Sequence, residues 1–283
     1  STGYFNVGVG YSTVNGALIR AGVTENNFQG KGQQLGLDVG VSQRTSDYNI
    51  SFTEPYFLGR RLSAGADLFR TEQDYQDEGS YDSETTGGRI RLGWNYTDDL
   101  SQYARYTLRQ DKISNVDSLA SVYIKEEAGS STASSIGQTL VYDKRDSAIN
   151  PKEGYYLSFG NDVAGLGGDE KYLRFDGKVY TYYTLADYYT FKLFVNAGYI
   201  EGYGDENVRL SQRYYLGGST LRGFDTAGIG ARDKYTKDAL GGNWMVYSGA
   251  EMSFPIGLDE LGIKGRTFVD MGMLGKPDNI DRA

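Results

Sequence analysis

Hydrophobic and polar residues alternate one by one along most of this chain, which is the pattern of β-strands with one apolar face. From Tyr4 to Tyr11 the odd positions are apolar, whereas the even positions from Asn6 onward are polar or glycine. The same period of two recurs to the end of the chain and predicts about thirteen strands. Their predicted ranges are 3–11, 16–25, 32–43, 47–54, 61–74, 84–96, 100–112, 133–143, 154–164, 170–186, 188–201, 242–255 and 262–273.

Two all-β architectures fit this alternation, a soluble sandwich and a transmembrane antiparallel β-barrel. The chain has no apolar run of the roughly 18 residues that a transmembrane helix needs, but barrel strands alternate and therefore read as polar on average. Glycine fills much of the polar face, and the 283 residues include 39 Gly and 25 Tyr. Close strand packing and aromatic girdles at the membrane interfaces require this composition, so the sequence favours the membrane barrel.

The predicted connections alternate between long and short from the middle of the chain onward. The long ones are 75–83, 113–132 and 202–241, and the short ones are 97–99, 187 and 256–261. Outer-membrane barrels have short periplasmic turns and long extracellular loops, so the turn at Pro55 is expected on the periplasmic side. Because single-chain bacterial barrels have an even number of strands, we expect at least one further strand after Ala283, and three in a barrel of sixteen.

Composition also restricts the chemistry that the chain can perform. It contains neither Cys nor His, which excludes a thiolate nucleophile, a Ser-His-Asp triad and the usual zinc sites. A net charge of −8 argues against a nucleic-acid partner. We therefore expect a protein that is not an enzyme and that has no metal site and no cofactor.

A glycine-rich loop, Tyr214–Gly230, interrupts the strand pattern inside the longest predicted connection. It reads YYLGGSTLRGFDTAGIG, with Arg222 near its centre. Alternation points Glu251 and Asp270, on the two following strands, toward the inner face. An arginine fork can pair with two carboxylates at once, so we expect the loop to fold into the lumen with Arg222 bound to both. In the alternative interpretation, the three residues are separate solvated charges.

Several segments of the chain resemble one protein family. The stretch GGSTLRGFDTAGIG resembles the loop-six signature of BamA-like outer-membrane assembly factors, which places the motif at Leu221, Arg222, Gly223 and Phe224. YSGAEMSFP and RTFVDMGML resemble the two strands that follow, and SFTEPYFLGRRLSAGADLF and YDKRDSAINPKEGYYLSF resemble earlier turns of the same family. The resemblance covers essentially the whole chain, in order. It implies that periplasmic POTRA domains precede Ser1, and that residues 1–283 are one barrel domain, incomplete at its C-terminus.

The resemblance also implies a function and its partners. BamA-like proteins sit in the outer membrane of Gram-negative bacteria and insert unfolded β-barrel clients through a seam between their first and last strands. Expected partners are these clients, accessory lipoproteins, lipid and lipopolysaccharide. In this sequence the seam strand consists of Tyr4, Phe5, Asn6, Val7, Gly8, Val9, Gly10 and Tyr11. A glycine-rich strand can equally reflect tight packing near the loop.

Two other functions stay open at this point. The first is a polypeptide-secreting transporter of the same superfamily, of the TamA-like or two-partner-secretion kind. The number of POTRA domains upstream distinguishes it from an assembly factor. The second is a passive porin, which a large and steady ohmic conductance would identify.

Overall fold

One antiparallel sheet of thirteen strands forms the body of the protein. The computed structural model describes residues 2–186, 188–257 and 263–278. Each strand of the sheet pairs with its neighbour along the chain, in the order β1 to β11, then β14 and β15. The remaining pair, β12 and β13, forms a separate two-stranded ribbon. No helix within the described ranges is both long and apolar enough to cross a membrane.

The strands of the main sheet differ in length, and those from β5 to β11 have 13 to 15 residues. Two helices of about one turn, α1 (Gln76–Gly79) and α2 (Val122–Glu126), and two 3-10 turns, Phe57–Gly59 and Leu210–Gln212, lie between strands. The strands are β1 (Gly3–Ser12), β2 (Gly16–Phe28), β3 (Gln33–Ser42), β4 (Thr45–Glu54), β5 (Leu62–Asp74), β6 (Asp82–Asn95), β7 (Leu100–Ser114), β8 (Gly129–Asp143), β9 (Gly154–Gly168), β10 (Tyr172–Leu185), β11 (Tyr189–Gly202), β12 (Ala231–Arg232), β13 (Ala239–Gly241), β14 (Trp244–Pro255) and β15 (Lys264–Leu274).

The two faces of the sheet differ as the alternation predicts. On β11 the side chains of Leu193 and Val195 are 54% and 44% exposed, whereas their neighbours Asn196 and Ile200 are 3% and 0% exposed. Because successive side chains of a strand point to opposite faces, one face carries exposed apolar residues and the other carries buried and polar ones. We call the second face the inner face.

The sheet is strongly curved around its inner face. Residues of β6 and of β14 line one cavity of about 560 Å³. These strands are six positions apart in the sheet order, which is roughly 29 Å along a flat sheet at about 4.8 Å per strand. A cavity of this size can touch both strands only if the sheet curls. The sheet is nevertheless open, because β1 and β15 each pair with a single neighbour.

Three long connections meet at one end of the sheet and form what we call the cap: residues 75–81, 115–128 and 203–243. Each of the two longer connections contributes fully buried side chains to a cluster that also contains Tyr81. These side chains, all 0% exposed, are Ile124 from the second connection and Leu210 and Leu240 from the third. Asp238 ties the three connections together, since it accepts hydrogen bonds from Ser80 Oγ at 2.8 Å and from the Ser121 N–H at 2.7 Å. The longest connection is therefore packed against the rest of the protein.

Several predicted boundaries differ from the observed ones. Strand β8 begins at Gly129 rather than at residue 133, and β4 begins at Thr45 rather than at residue 47. These strand ends are polar on both faces, so they carry no alternation for a sequence to show. The one-turn helices α1 and α2 lie inside predicted loops, because a single turn is too short to display a helical period. Some of the predicted features lie wholly or partly outside the described residues. They are the short turns at 187 and 256–261, the first residue of the strand predicted at 262–273, and the chain end at 279–283. Barrel closure and a total of sixteen strands stay predictions.

Candidate functional site

The glycine-rich loop folds back on itself into a closed turn. Leu216 and Ile229 form an isolated β-bridge at its base, with the Ile229 N–H donating to the Leu216 carbonyl at 3.3 Å. Nearer the tip, the Gly218 N–H donates to the Phe224 carbonyl at 2.9 Å. The motif residues Leu221 to Phe224 therefore lie at the tip of a compact turn, and the turn holds their backbone in place.

Glycine is required at the base of this turn for a steric reason. Gly217 has a φ of +129°, and a Cβ atom there would lie 1.9 Å from the Asp225 carbonyl oxygen. Only glycine combines this conformation with so close a backbone approach. Gly223 also has a positive φ, +89°, although a Cβ atom there meets nothing within 4 Å. Backbone conformation alone thus favours glycine at position 223.

The structure brings Arg222 to both carboxylates that the sequence pairs with it. Its Nε donates to Asp270 Oδ2 at 2.7 Å and its Nη2 donates to Asp270 Oδ1 at 2.8 Å, which is a bidentate pair. Its Nη1 donates to Glu251 Oε2 at 2.5 Å. The backbone N–H of Arg222 adds a fourth bond, to Asp270 Oδ2 at 3.1 Å. Charge-assisted bidentate contacts of this kind are the strong ones in proteins.

An aromatic ring completes the site. The Arg222 guanidinium carbon lies 3.7 Å from the centroid of the Phe268 ring, within the range of a cation–π contact. Phe268 stands opposite Glu251 across the β14–β15 pair, and Asp270 stands opposite Gly249. We call Arg222, Glu251, Phe268 and Asp270 the arginine clamp. Alternation places Phe268 on the same face as Asp270, two residues away, but it does not indicate the contact with the guanidinium.

The clamp is shielded to different degrees from solvent. The side chain of Asp270 is 3% exposed and that of Glu251 is 12% exposed, whereas that of Arg222 is 29% exposed. Hydrogen bonds to Asp270, and then to Glu251, raise the pKa of the Arg222 guanidinium above its usual range, so this loop residue is charged throughout the accessible pH range. Arg266 lies 3.7 Å from the second oxygen of Glu251 but is 66% exposed, so it contributes little.

The other motif residues have different environments. Leu221 is 1% exposed and lies over Gly272 of β15, where a Cβ atom would come within 3.3 Å of its Cδ1. Phe224 is 49% exposed and takes no part in the clamp. Within the part of the chain that the structure describes, no cluster of acidic residues could hold a metal ion.

The predicted seam strand is β1, one edge of the open sheet. Its residues from Tyr4 to Tyr11 pair only with β2, and Phe5 and Val9 are 68% and 81% exposed. Cβ atoms at Gly8 and Gly10 would meet nothing within 4 Å. Tight packing therefore does not explain these two glycines in the described chain.

The β1–β2 turn lies next to the glycine-rich loop, a proximity that the sequence did not indicate. A Cβ atom at Gly218 would lie 3.4 Å from Cγ2 of Val14, a residue of this turn. The loop therefore binds β14 and β15 through the clamp and lies close to the β1–β2 turn at Gly218.

We expect Gly249→Ala to weaken the arginine clamp. A Cβ atom there would lie 2.5 Å from Asp270 Oδ1 and 2.7 Å from the Phe194 ring, so both side chains must move. Overpacking of this kind costs about 1–3 kcal/mol of unfolding free energy, measured by urea titration in detergent. Gly177→Ala is the matched control, because a Cβ atom there meets nothing within 4 Å. Equal losses in the two variants would contradict the described packing.

Comparison with known proteins identifies the family. The model of the Omp85 superfamily domain matches residues 27–282. The outer membrane protein assembly factor BamA of Neorickettsia risticii (strain Illinois) is 34% identical over 96% of this chain and 37% of its own length. The BamA of Nitratidesulfovibrio vulgaris is 27% identical over 96% of this chain and 34% of its own length. The chain thus spans about a third of these relatives.

Solved structures show the same fold. The crystal structure of BamA from Haemophilus ducreyi lacking POTRA domains 1–3 matches with a TM-score of 0.84 and 25% identity, over 97% of this chain and 58% of that one. CdiB from Acinetobacter baumannii matches with a TM-score of 0.64 and 17% identity, over 99% of this chain and 51% of that one. The first match and the BamA relatives place the chain in the outer membrane of a Gram-negative bacterium. By sequence and by fold, the chain belongs to the Omp85 superfamily.

Proposed function

We propose that this chain is the membrane domain of an assembly factor that folds β-barrel proteins and inserts them into the outer membrane through a seam at β1. The observation that carries the proposal is the arginine clamp, which attaches the glycine-rich loop to the wall of a sheet whose first strand, within the described residues, pairs with β2 alone. Relatives named as assembly factors over nearly the whole chain support it.

In this proposal a client binds along the edge of β1 that points away from β2. β1 has ten residues and pairs with β2 alone. In an antiparallel strand, alternate residues bond to one neighbour, so the residues between them direct N–H and C=O groups to the open edge. An incoming client strand satisfies these groups by β-augmentation. The step breaks no covalent bond and needs no cofactor, and the free energy comes from pairing and burial of the client.

The arginine clamp has a mechanical role in this proposal. It holds the glycine-rich loop on β14 and β15 while the same loop lies against the β1–β2 turn. The wall formed by β14 and β15 is thereby braced, so that opening occurs at the edge of β1. Unfolded barrel clients are the proposed substrates. Accessory lipoproteins, lipid and lipopolysaccharide are the proposed partners.

A polypeptide-secreting transporter of the same superfamily is the second candidate. The observation that favours it is the match to CdiB, which shares the fold at a TM-score of 0.64. The match to the BamA structure has a higher TM-score, 0.84, and a higher sequence identity. A passive porin is less consistent with the packed cap, in which Ile124, Leu210 and Leu240 are fully buried over one end of the sheet.

Crosslinking tests whether clients meet the edge of β1. We expect the photoreactive residue benzoylphenylalanine in place of Val9 of the full-length protein to crosslink to a barrel client during its insertion. The control position is Val195, which faces outward on β11 between two paired strands. Equal crosslinking at both positions, or none at Val9, would contradict a seam at β1, and recovery of a secreted passenger instead of a barrel client would favour the transporter.

Substitution of Arg222 tests the mechanical role. Arg222→Ala leaves Asp270 buried without its counter-ion, which costs about 3–5 kcal/mol in a fully buried pair and less here because the arginine is 29% exposed. We expect a lower unfolding free energy and slower client folding by full-length protein in lipid vesicles.

The matched control is Arg70→Ala, which removes an arginine that is paired with Glu72 and Glu84 but is 47% exposed. Unchanged stability together with normal client insertion in Arg222→Ala would contradict the bracing role.

A further inference from the structure

The inner face carries an excess of positive charge around one cavity. This cavity of about 560 Å³ is lined by residues of β6 to β11 and β14, together with Gln212 and Tyr214 of the longest connection. Among the lining residues that the structure describes, five are cations and two are carboxylates: Arg89, Arg105, Arg109, Arg174 and Lys178 against Asp162 and Asp176. The excess stands out in a chain whose net charge is −8.

Most of these arginines have a carboxylate partner. Arg105 forms a bidentate pair with Asp162 at 2.6 and 3.0 Å, and it reaches across β8 at Gly137. A Cβ atom at Gly137 would lie 2.0 Å from Asp162 Oδ1, so glycine leaves room for this pair. Arg174 pairs with Asp176 at 3.0 Å. Arg109 pairs at 3.0 Å with Asp111, a buried residue beside the cavity.

Arg89 is left without a carboxylate. The carboxylate directly opposite it, Asp67 of β5, binds Arg91 instead, with both oxygens within 3.0 Å of Arg91 nitrogens. Among the described residues, Arg89 has only weak contacts: its Nε donates to Thr107 Oγ1 at 3.3 Å, and its guanidinium lies 5.4 Å from the Phe69 ring centroid. Lys178 likewise forms no ion pair in the described part of the chain.

Asp67 and Asp162 are near enough to Arg89 to act on its charge, but neither forms an ion pair with it. A partly buried guanidinium without a directly bound carboxylate is costly, and an anion from solution reduces that cost. The fork of five N–H donors matches the oxygens of a phosphate group best. Hydroxyl groups of Thr107, Ser135, Thr139 and Ser158 line the same cavity and can donate to further oxygens. The cavity is large compared with the roughly 30 Å³ that a water molecule occupies, so it accommodates a phosphate-bearing molecule.

We propose that the cavity beside Arg89 is a binding site for a small soluble phosphate-bearing anion, with Arg89 as its main ligand. A phosphate on a lipid headgroup offers the same oxygens. However, lipid contacts the exposed apolar face, and the cavity lies on the opposite, inner face. The site shares no residue with β1 or with the arginine clamp, although Tyr214, the first residue of the glycine-rich loop, lines the cavity.

Pyrophosphate is the probe. We expect isothermal titration calorimetry on the full-length protein in detergent, at constant ionic strength, to show saturable binding of one pyrophosphate per chain. Arg89→Gln should weaken this binding about tenfold or more, because it removes a charge-assisted contact. Arg89→Lys keeps the charge but loses the fork, so its affinity should be intermediate. Arg70→Gln is the control, because it removes the same charge at a position outside the cavity. Its affinity for pyrophosphate should lie within about twofold of that of the wild type.

The results that overturn the proposal are equally specific. Absence of saturable binding to the wild-type protein would exclude the site. An equal loss in Arg89→Gln and Arg70→Gln would show a general effect of net charge. If Arg89→Gln does not fold, Arg89→Lys is the deciding variant. Pyrophosphate binding by Arg89→Lys as tight as that of the wild type would show that the guanidinium fork is not what holds the anion. Displacement of pyrophosphate by phosphatidylglycerol vesicles would show that the site binds a lipid headgroup, which contradicts the proposal of a soluble anion.

Discussion

The pairing of Arg222 with Asp270 and Glu251 is the interaction on which the arrangement of the glycine-rich loop depends. Four hydrogen bonds from one residue connect the tip of the loop to β14 and β15. The same loop begins in the cap and lies beside the β1–β2 turn at Gly218. Its position therefore places one loop between the last strands of the sheet and the first hairpin.

Glycines on the inner face make the charged contacts geometrically feasible. Asp270 occupies space that a side chain at Gly249 would fill, and Asp162 does the same at Gly137. In each case the carboxylate of an arginine–carboxylate pair occupies the space over a strand position that has no side chain. The inner face thus holds many charges at close range because most are paired and because glycine leaves room for the pairs. Within the described chain, Arg89 is the cavity-lining arginine without an ion pair, and it defines the proposed anion site.

Alternation was sufficient to predict most of the strands and the inward direction of Glu251 and Asp270, because side-chain direction in a strand has a fixed period of two. It could not predict the ends of strands such as β8, where both faces are polar, or the one-turn helices of the cap. The contact of Arg222 with Phe268 and the proximity of Gly218 to Val14 depend on how the loop folds in three dimensions. No local pattern encodes that path, so these parts of the site required the structure.

A double-mutant cycle between Arg222 and Asp270 tests the central claim most directly. Arg222→Met, Asp270→Asn and the double variant of the full-length protein would be unfolded by urea in lipid vesicles, and their unfolding free energies compared. If the clamp holds the loop, the two substitutions are strongly non-additive, with a coupling of about 1.5–3 kcal/mol. Additive effects, with a coupling near zero, would contradict the account, because the two residues would then contribute to stability independently of one another.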